Sequence, residues 1–226
     1  MRFCAASDQA LLVYTGEEIG IAAHEQVMTL LRLLQKNRPA WLRNVQPGYC
    51  SLLVTFDPCL VDHDAVEEAI HGYLEPPHAK TKPRSPRKIV EIPVCYDEEF
   101  GPDLLDVAAL HRITPDELIR KHCSRVYHAY FLGFVPGFAY LGDLPDELAT
   151  PRLEIPRKQV PAGSVALAGK QTAIYPFKTP GGWRLLGRTP LRLFRTDRKP
   201  MSLVAIGDQV RFRPISRGEF SKWPPA

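Results

Sequence analysis

Around two rigid turns, Pro161-Ala162-Gly163 and Pro180-Gly181-Gly182, the chain sets Arg157, Lys158, Gln171, Thr172, Tyr175, Trp183 and Arg188. Guanidinium and ammonium groups suit a carboxylate or a phosphate, while amide, hydroxyl and phenol groups give directional hydrogen bonds. On an extended strand Gln171, Ala173 and Tyr175 share one face, and the small central residue leaves room for something to lie between its neighbours. Upstream, residues 131–145 read FLGFVPGFAYLGDLP, with three glycines, two prolines and four aromatic rings. Pro136-Gly137 suits the two central positions of a type II turn. A backbone fixed in this way presents Phe134, Phe138 and Tyr140 at set positions. Two readings stand side by side. In one, the loop plugs the end of a barrel, Arg157 and Arg188 are solvated barrel arginines, and Tyr175 is a rim or core ring. In the other, the same residues line a pocket or a partner surface.

Other chemistries find less support. His111, His122, Cys123 and His128 lie close in sequence, but their spacing matches no zinc pattern, and a closed site needs four ligands. No bound metal is expected in this chain. His128 shares one face of the VYHAYFL segment with Tyr130 and is a candidate pocket residue, whereas His111 and His122 are expected to cap or flank short helices. The five cysteines are irregularly spaced with no CxxC pair, as expected of reduced thiols in the cytoplasm. None sits at an evident electropositive helix start that would make it a nucleophile. The stretch VALAGKQT lacks the first glycine of a phosphate-binding P-loop.

The elements that must position these residues follow from composition and periodicity. The chain has 226 residues, 45% of them hydrophobic and 24% charged, an ordinary globular balance. No apolar run reaches the roughly 18 residues of a membrane span, and the N-terminus lacks the pattern of a secretory signal. The net charge of +4 divides unevenly: residues 151–226 hold 15 Lys/Arg against 4 Asp/Glu, so that the C-terminal third attracts anions. Its basic residues are spread along strand-like segments without a nucleic-acid motif, and no nucleic-acid partner is expected.

Residues 10–14 predict a strand, 18–36 a helix, WLRNV–PG–YCSLLVTF a hairpin, and DHDAVEEAIHGYL a second helix capped by Asp62. This order gives most of a ferredoxin-like α/β unit over residues 1–76. Residues 77–88 lie in a Pro-rich, basic stretch with almost nothing apolar and read as a linker. From residue 89 onward come a strand, two short helices (the second capped by Thr114 with Pro115 at its first position) and a series of short turn-bounded apolar runs. Residues 89–226 therefore predict a mostly β domain, a closed barrel or sandwich. The whole is an α+β chain of two domains.

GFVPGFAYLGDLP, the segment TPRLEIPRKQVPAGSVALAGKQTAIYPFKTPGGWRLLGRTPLRLF, and GDQVRF resemble the family of the 5-oxoprolinase B subunit, also called allophanate hydrolase subunit 1 or KipI. The resemblance runs through most of residues 89–213. It implies a cyclophilin-like β-barrel for the second domain. It also implies partners: the 5-oxoprolinase C subunit, which is allophanate hydrolase subunit 2-like, and the A subunit, which is LamB/YcsF-like. Together these would hydrolyse 5-oxoproline to glutamate with ATP, carrying Mg as its counter-ion and bound by the assembled complex. Alternatives within the family are a KipI-like inhibitor of a histidine kinase and a component of an allophanate or urea-carboxylase system. An ATP-coupled ring-opening amidase must hold a carboxylate, polarise an amide carbonyl and exclude water. On this reading Arg157, Gln171 and Tyr175 are catalytic. Phe134, Phe138, Tyr140, Lys158, Thr172, Trp183, Arg188 and His128 bind substrate or partner.

Overall fold

The computed structural model describes residues 1–75 and 89–224. The chain divides into two compact units, Met1–Ser85 and Pro86–Ala226. The expected linker, 77–88, lies outside the described residues.

In the first unit β1 (Arg2–Ser7), β2 (Ala10–Tyr14), β3 (Leu42–Pro47) and β4 (Ser51–Phe56) form an antiparallel sheet in the order β1-β2-β4-β3. Alternation aims Leu11, Val13, Leu52, Val54 and Phe56 at one face. There α1 (Ile21–Asn37) adds Val27, Leu30, Leu31 and Leu34, and α2 (His63–Leu74) adds Val66 and Ile70. The Asp62 carboxylate accepts from the Ala65 amide at 2.9 Å and starts α2 where the sequence places it. Helix α1 begins three residues later than its periodicity suggests, because Gly20 is still extended (φ −167°). β1 is not evident in the sequence. It is an edge strand with mostly exposed side chains, so it carries no alternating apolar signal. Its place beside β2 is the one that a ferredoxin-like unit fills with its last strand. Here the N-terminus supplies it.

In the second unit β5 (Ile89–Val94) leads through α3 (Leu104–Leu110) and α4 (Pro115–Cys123) to β6 (Tyr127–Leu132) and β7 (Ala139–Gly142). Then come β8 (Arg157–Val160), β9 (Ser164–Ala168), β10 (Gln171–Ile174), β11 (Thr179–Gly181), β12 (Arg184–Arg188), β13 (Gln209–Pro214) and the one-turn α5 (Arg217–Phe220). Seven strands form one sheet, in the order β12-β9-β10-β7-β6-β13-β5. Its two edge strands meet: Cys95 and Arg188 exchange both backbone hydrogen bonds at 2.9 Å, which closes the sheet into a nearly complete barrel. The interior is packed by Ile92, Val94, Leu141, Val165, Leu167 and Phe212, among others, and Leu118 from α4 is buried with them. β8 and β11 pair separately as a two-stranded ribbon.

Two runs that read as strands, PLRLF and SLVAIG, lie outside the regular sheet. They form the limbs of a narrow excursion between β12 and β13. The Arg195 amide bonds to the Met201 carbonyl, and the Leu203 amide to the Leu193 carbonyl, each at 2.8 Å. Leu193 and Val204 reach the core from this excursion. The bridge between the limbs, Phe194 to Ser202, is isolated and does not extend into a ladder.

Candidate functional site

Three neighbouring strands of the barrel have two unlike faces. Inward they carry Val165, Leu167, Ile174 and Leu186. Outward β9 carries Ala166 and Ala168 and β10 carries Ala173, with Gln171 at the start of β10 and Leu185 beside them from β12. Phe138, Tyr175 and Trp183 lie over this floor, with Tyr140 half-buried at its edge. Phe138 is the hub, in edge-to-face contact with Tyr140 (4.7 Å), Tyr175 (5.2 Å) and Trp183 (5.9 Å) between ring centres. The backbone is cut to fit the rings: a Cβ at Gly181 would stand 2.4 Å from the Tyr175 hydroxyl. Burial pushes the Tyr175 phenol up, and the Trp183 backbone opposes it through a hydrogen bond. Burial also raises Tyr140.

Arg157, on the β8 ribbon, supplies the charge. Its Nη2 donates to Asp103 Oδ1 at 2.7 Å, and the Asp103 Oδ2 accepts from the Leu185 amide at 2.7 Å. Asp103 is 3% exposed, so this carboxylate is buried and fully engaged. The Nη1 of Arg157 is also sealed from solvent, yet it has no hydrogen-bond partner among the described residues. Such an unpaired buried nitrogen is an exception to the usual pairing of buried donors, and it meets an acceptor from outside only if the cover over it shifts. Gln171, half-buried at the start of β10, shares the outward face with Ala173 by alternation. Lys158 is exposed next to Arg157.

The other candidates lie elsewhere. Thr172 points to the opposite side of β10 and is fully buried. Its hydroxyl donates to the Ala166 carbonyl at 3.0 Å and so must accept from His122 Nε2–H, also at 3.0 Å. The His122 Nδ1 then accepts from the Tyr96 hydroxyl at 2.8 Å. Burial lowers His122 to about 3, so the ring is neutral in this chain of bonds. Arg188 sits at the barrel seam: its Nε donates to the Ala162 carbonyl at 2.8 Å and its guanidinium lies 6.0 Å from the Phe100 ring centre. His128 is buried edge-on to Tyr130, 4.7 Å between ring centres. Phe134 is 59% exposed and lines an open cleft with Val135, Pro136, Phe194 and Ser202. Gly137 takes φ 81°, the left-handed value that the Pro136-Gly137 turn predicts.

Asp103 is the member that sequence reasoning did not single out. It precedes a short helix like any capping residue, and only the fold brings Arg157 to it, 54 positions away. Among the described residues no three His, Cys, Asp or Glu side chains are grouped to hold a metal ion, and no helix is long and apolar enough to cross a membrane.

Known proteins share this architecture. The chain is similar to the 5-oxoprolinase B subunit of Bacillus subtilis, with 38% identity over 94% of this chain and 92% of that protein. It is 43% identical to a conserved uncharacterized protein, PH0987 from Pyrococcus horikoshii, over 97% of this chain and all of that one, with a TM-score of 0.57. The structure of TTHA0988 superposes with a TM-score of 0.80 at 32% identity, and this chain spans only 41% of that longer one. A family profile covers residues 1–204, which takes in the first unit, the barrel sheet up to β12 and the ring-lined face of β8 to β12. By that match the chain belongs to the family described as carboxyltransferase domain, subdomain C and D.

Proposed function

We propose that this chain is the B subunit of an ATP-dependent 5-oxoprolinase, a cytoplasmic hydrolase that opens the cyclic amide of 5-oxoproline to give glutamate. The observation that carries this reading is the end-to-end similarity to the Bacillus subtilis 5-oxoprolinase B subunit, which covers nearly the full length of both chains. The outward face of the barrel is consistent with it. The Arg157 side chain, 28% exposed, brings positive charge that suits the substrate carboxylate, and the Gln171 side-chain amide suits the lactam. The rings of Phe138, Tyr140, Tyr175 and Trp183 exclude water from the space between them. One donor nitrogen and one amide do not make a complete catalytic set. The site is therefore finished by the C subunit, with the A subunit completing the enzyme. One guanidinium already engaged by Asp103 makes no cradle for a triphosphate, so ATP with its Mg is held away from this face.

The test is co-expression with candidate C and A subunits, purification of the complex, and measurement of glutamate released from 5-oxoproline with and without ATP. Arg157→Gln and Gln171→Ala are each expected to lower turnover at least a hundredfold while the complex still assembles (about 2.7 kcal/mol of lost transition-state stabilisation). Full activity in both variants would reduce the cluster to barrel surface. A second reading, carboxyl transfer, is favoured by the family description alone. It predicts ATP-independent exchange of a carboxyl group in place of glutamate release.

A further inference from the structure

A cleft of about 400 Å³ opens at the seam of the barrel, and none of its lining residues belongs to the ring-lined face. One wall is the end of β12 and the turn after it, with Arg188 and Pro190. The other is the C-terminal segment, with Phe220, Trp223 and Pro224. Phe100 joins the two: its ring stacks on Phe220, 4.5 Å between centres, and lies 6.0 Å from the Arg188 guanidinium. The C-terminal wall is also tied down by Arg217 of α5, which pairs with Asp97 at 3.8 Å and with Glu99. A cavity of this size, walled mostly by rings and prolines, is in the range of small-molecule sites.

Arg188 is the polar anchor of this cleft. It is half-buried, and its Nε is pinned to the Ala162 carbonyl at 2.8 Å. Among the described residues it pairs with no carboxylate, and its Nη1 and Nη2 donate to no group. Unlike the unpaired nitrogens of Arg157, Arg184 and Arg198, these two are not sealed from solvent. They form the end of a rigid fork whose spacing matches the two oxygens of one carboxylate. The pinned Nε lowers the entropy lost when the fork is used. No acidic side chain among the described residues lines the cleft to compete for it. A single free fork suits one carboxylate and not a polyphosphate. The positive charge of Arg217 in the same lining disfavours an ammonium group, and so an amino acid. The other walls present flat apolar faces, with the Trp223 indole 40% exposed, and a planar apolar body stacks on such faces.

We propose that the seam cleft binds a small aromatic carboxylate, with the carboxylate forked on Arg188 Nη1 and Nη2 and the ring among Phe100, Phe220 and Trp223. The inference concerns a different site from the ring-lined face and needs binding alone, so it stands or falls apart from the hydrolase reading.

The experiment titrates the full-length, isotope-labelled chain with naphthoate and follows heat and the indole N–H signals. The chain has three tryptophans, Trp41, Trp183 and Trp223, and the signal missing from a Trp223→Phe chain is that of Trp223. Naphthoate is expected to saturate with a dissociation constant below about 1 mM and to shift the Trp223 signal while the other two stay in place. Naphthalenemethanol, which keeps the rings without the charge, and acetate, which keeps the charge without the rings, are each expected to bind at least about tenfold more weakly. Arg188→Gln and Trp223→Ala each lower naphthoate affinity by a similar factor. Arg188 also bonds across the seam, so the neutral ligand and the exposed Trp223 test the site without disturbing the barrel. No saturable naphthoate binding up to about 10 mM overturns the proposal. So does a shift of the Trp183 signal in place of Trp223, which puts the ligand on the ring-lined face. Equal affinity for naphthoate and naphthalenemethanol identifies an apolar cleft only and removes Arg188 from the site. Glutamate or 5-oxoproline shifting Trp223 with an affinity equal to that of naphthoate overturns the assignment to an aromatic carboxylate.

Discussion

Strand β10, four residues long, divides two environments. Inward, Thr172 and Ile174 enter a core whose polar atoms are satisfied in sequence, from the Ala166 carbonyl through Thr172 and His122 to Tyr96. Outward, Gln171 and Ala173 look onto rings set over alanines, next to a guanidinium that keeps one buried nitrogen unpaired. The same backbone serves both. The inner face follows the rule for stability: fill the volume and pair each donor. The outer face departs from it at Arg157 Nη1, at a cost of about 1–3 kcal/mol. Thr179 Oγ1, Arg184 Nε and Arg198 Nε are also buried without a partner, so what sets the outer face apart is this guanidinium together with a floor of small residues and a cluster of rings.

The sharpest way to break this comparison is at Phe138, which is 2% exposed and belongs to the outer cluster. If the outer rings are a second core, Phe138→Ala costs about 3–5 kcal/mol, as for other buried phenylalanines. That is a large share of a typical stability of about 5–15 kcal/mol. Urea denaturation of the single chain, followed by near-ultraviolet circular dichroism, reads it. A loss below about 1 kcal/mol would mean that the rings are loosely held and that the outer face is not preorganised.

A smaller effect separates the inner face. His122 is held neutral, with its affinity for protons lowered from the ordinary 6.5 to about 3 by burial. Between those values the unfolded chain binds a proton that the folded chain does not, so stability is full above about pH 6.5 and falls as the pH drops toward 3. The slope from this group approaches about 1.4 kcal/mol per pH unit. His122→Gln keeps a neutral side chain with a donor and removes the titration. Its stability is therefore expected to change less between about pH 6.5 and about pH 4 than that of the parent. Parallel pH profiles for the two proteins would show that His122 is not the group that makes the barrel acid-sensitive.

The two faces were unequally legible in the sequence. Many strands were plain from apolar runs bounded by Gly and Pro, but PLRLF and SLVAIG are such runs outside the sheet, and the short β7, β8 and β11 gave no such signal. Asp62 and Thr114 announced their helices, since each accepts a backbone N–H three residues on. The proximity of Gln171, Ala173 and Tyr175 also followed from period two. Thr172 shows the limit of spacing: it lies next to Gln171 in sequence and across the sheet from it in space, and alternation alone does not say which side is core. Arg157 was readable as a cation near a turn, but its pairing with Asp103 depends on the ribbon folding over β12 and on α3 arriving from the other end of the unit. β1 was silent because an exposed edge strand has no apolar rhythm to read.

The smallest expected change in stability is at Phe134, and it bears on the partner. Phe134 holds φ 68°, a left-handed value unusual for a bulky side chain, while its ring stays 59% exposed and touches Phe138 edge-on at 5.5 Å. The strain is on the order of 1 kcal/mol. Replacing Phe134 by Gly relieves it but restores freedom to the unfolded chain worth a similar amount, so the net change is expected to stay within about 1 kcal/mol. A backbone that holds a phenyl ring out in water at this cost is arranged for a contact the isolated chain does not make. On the proposed function that contact is the C subunit. Phe134→Gly is therefore expected to weaken assembly at least about tenfold, as the loss of one aromatic anchor does, while the single chain melts almost as before. Sedimentation of mixed subunits gives the first quantity and denaturation of the single chain the second. If the variant loses more than about 2 kcal/mol and assembles normally, the ring serves to pack on Phe138 and the loop belongs to the barrel core.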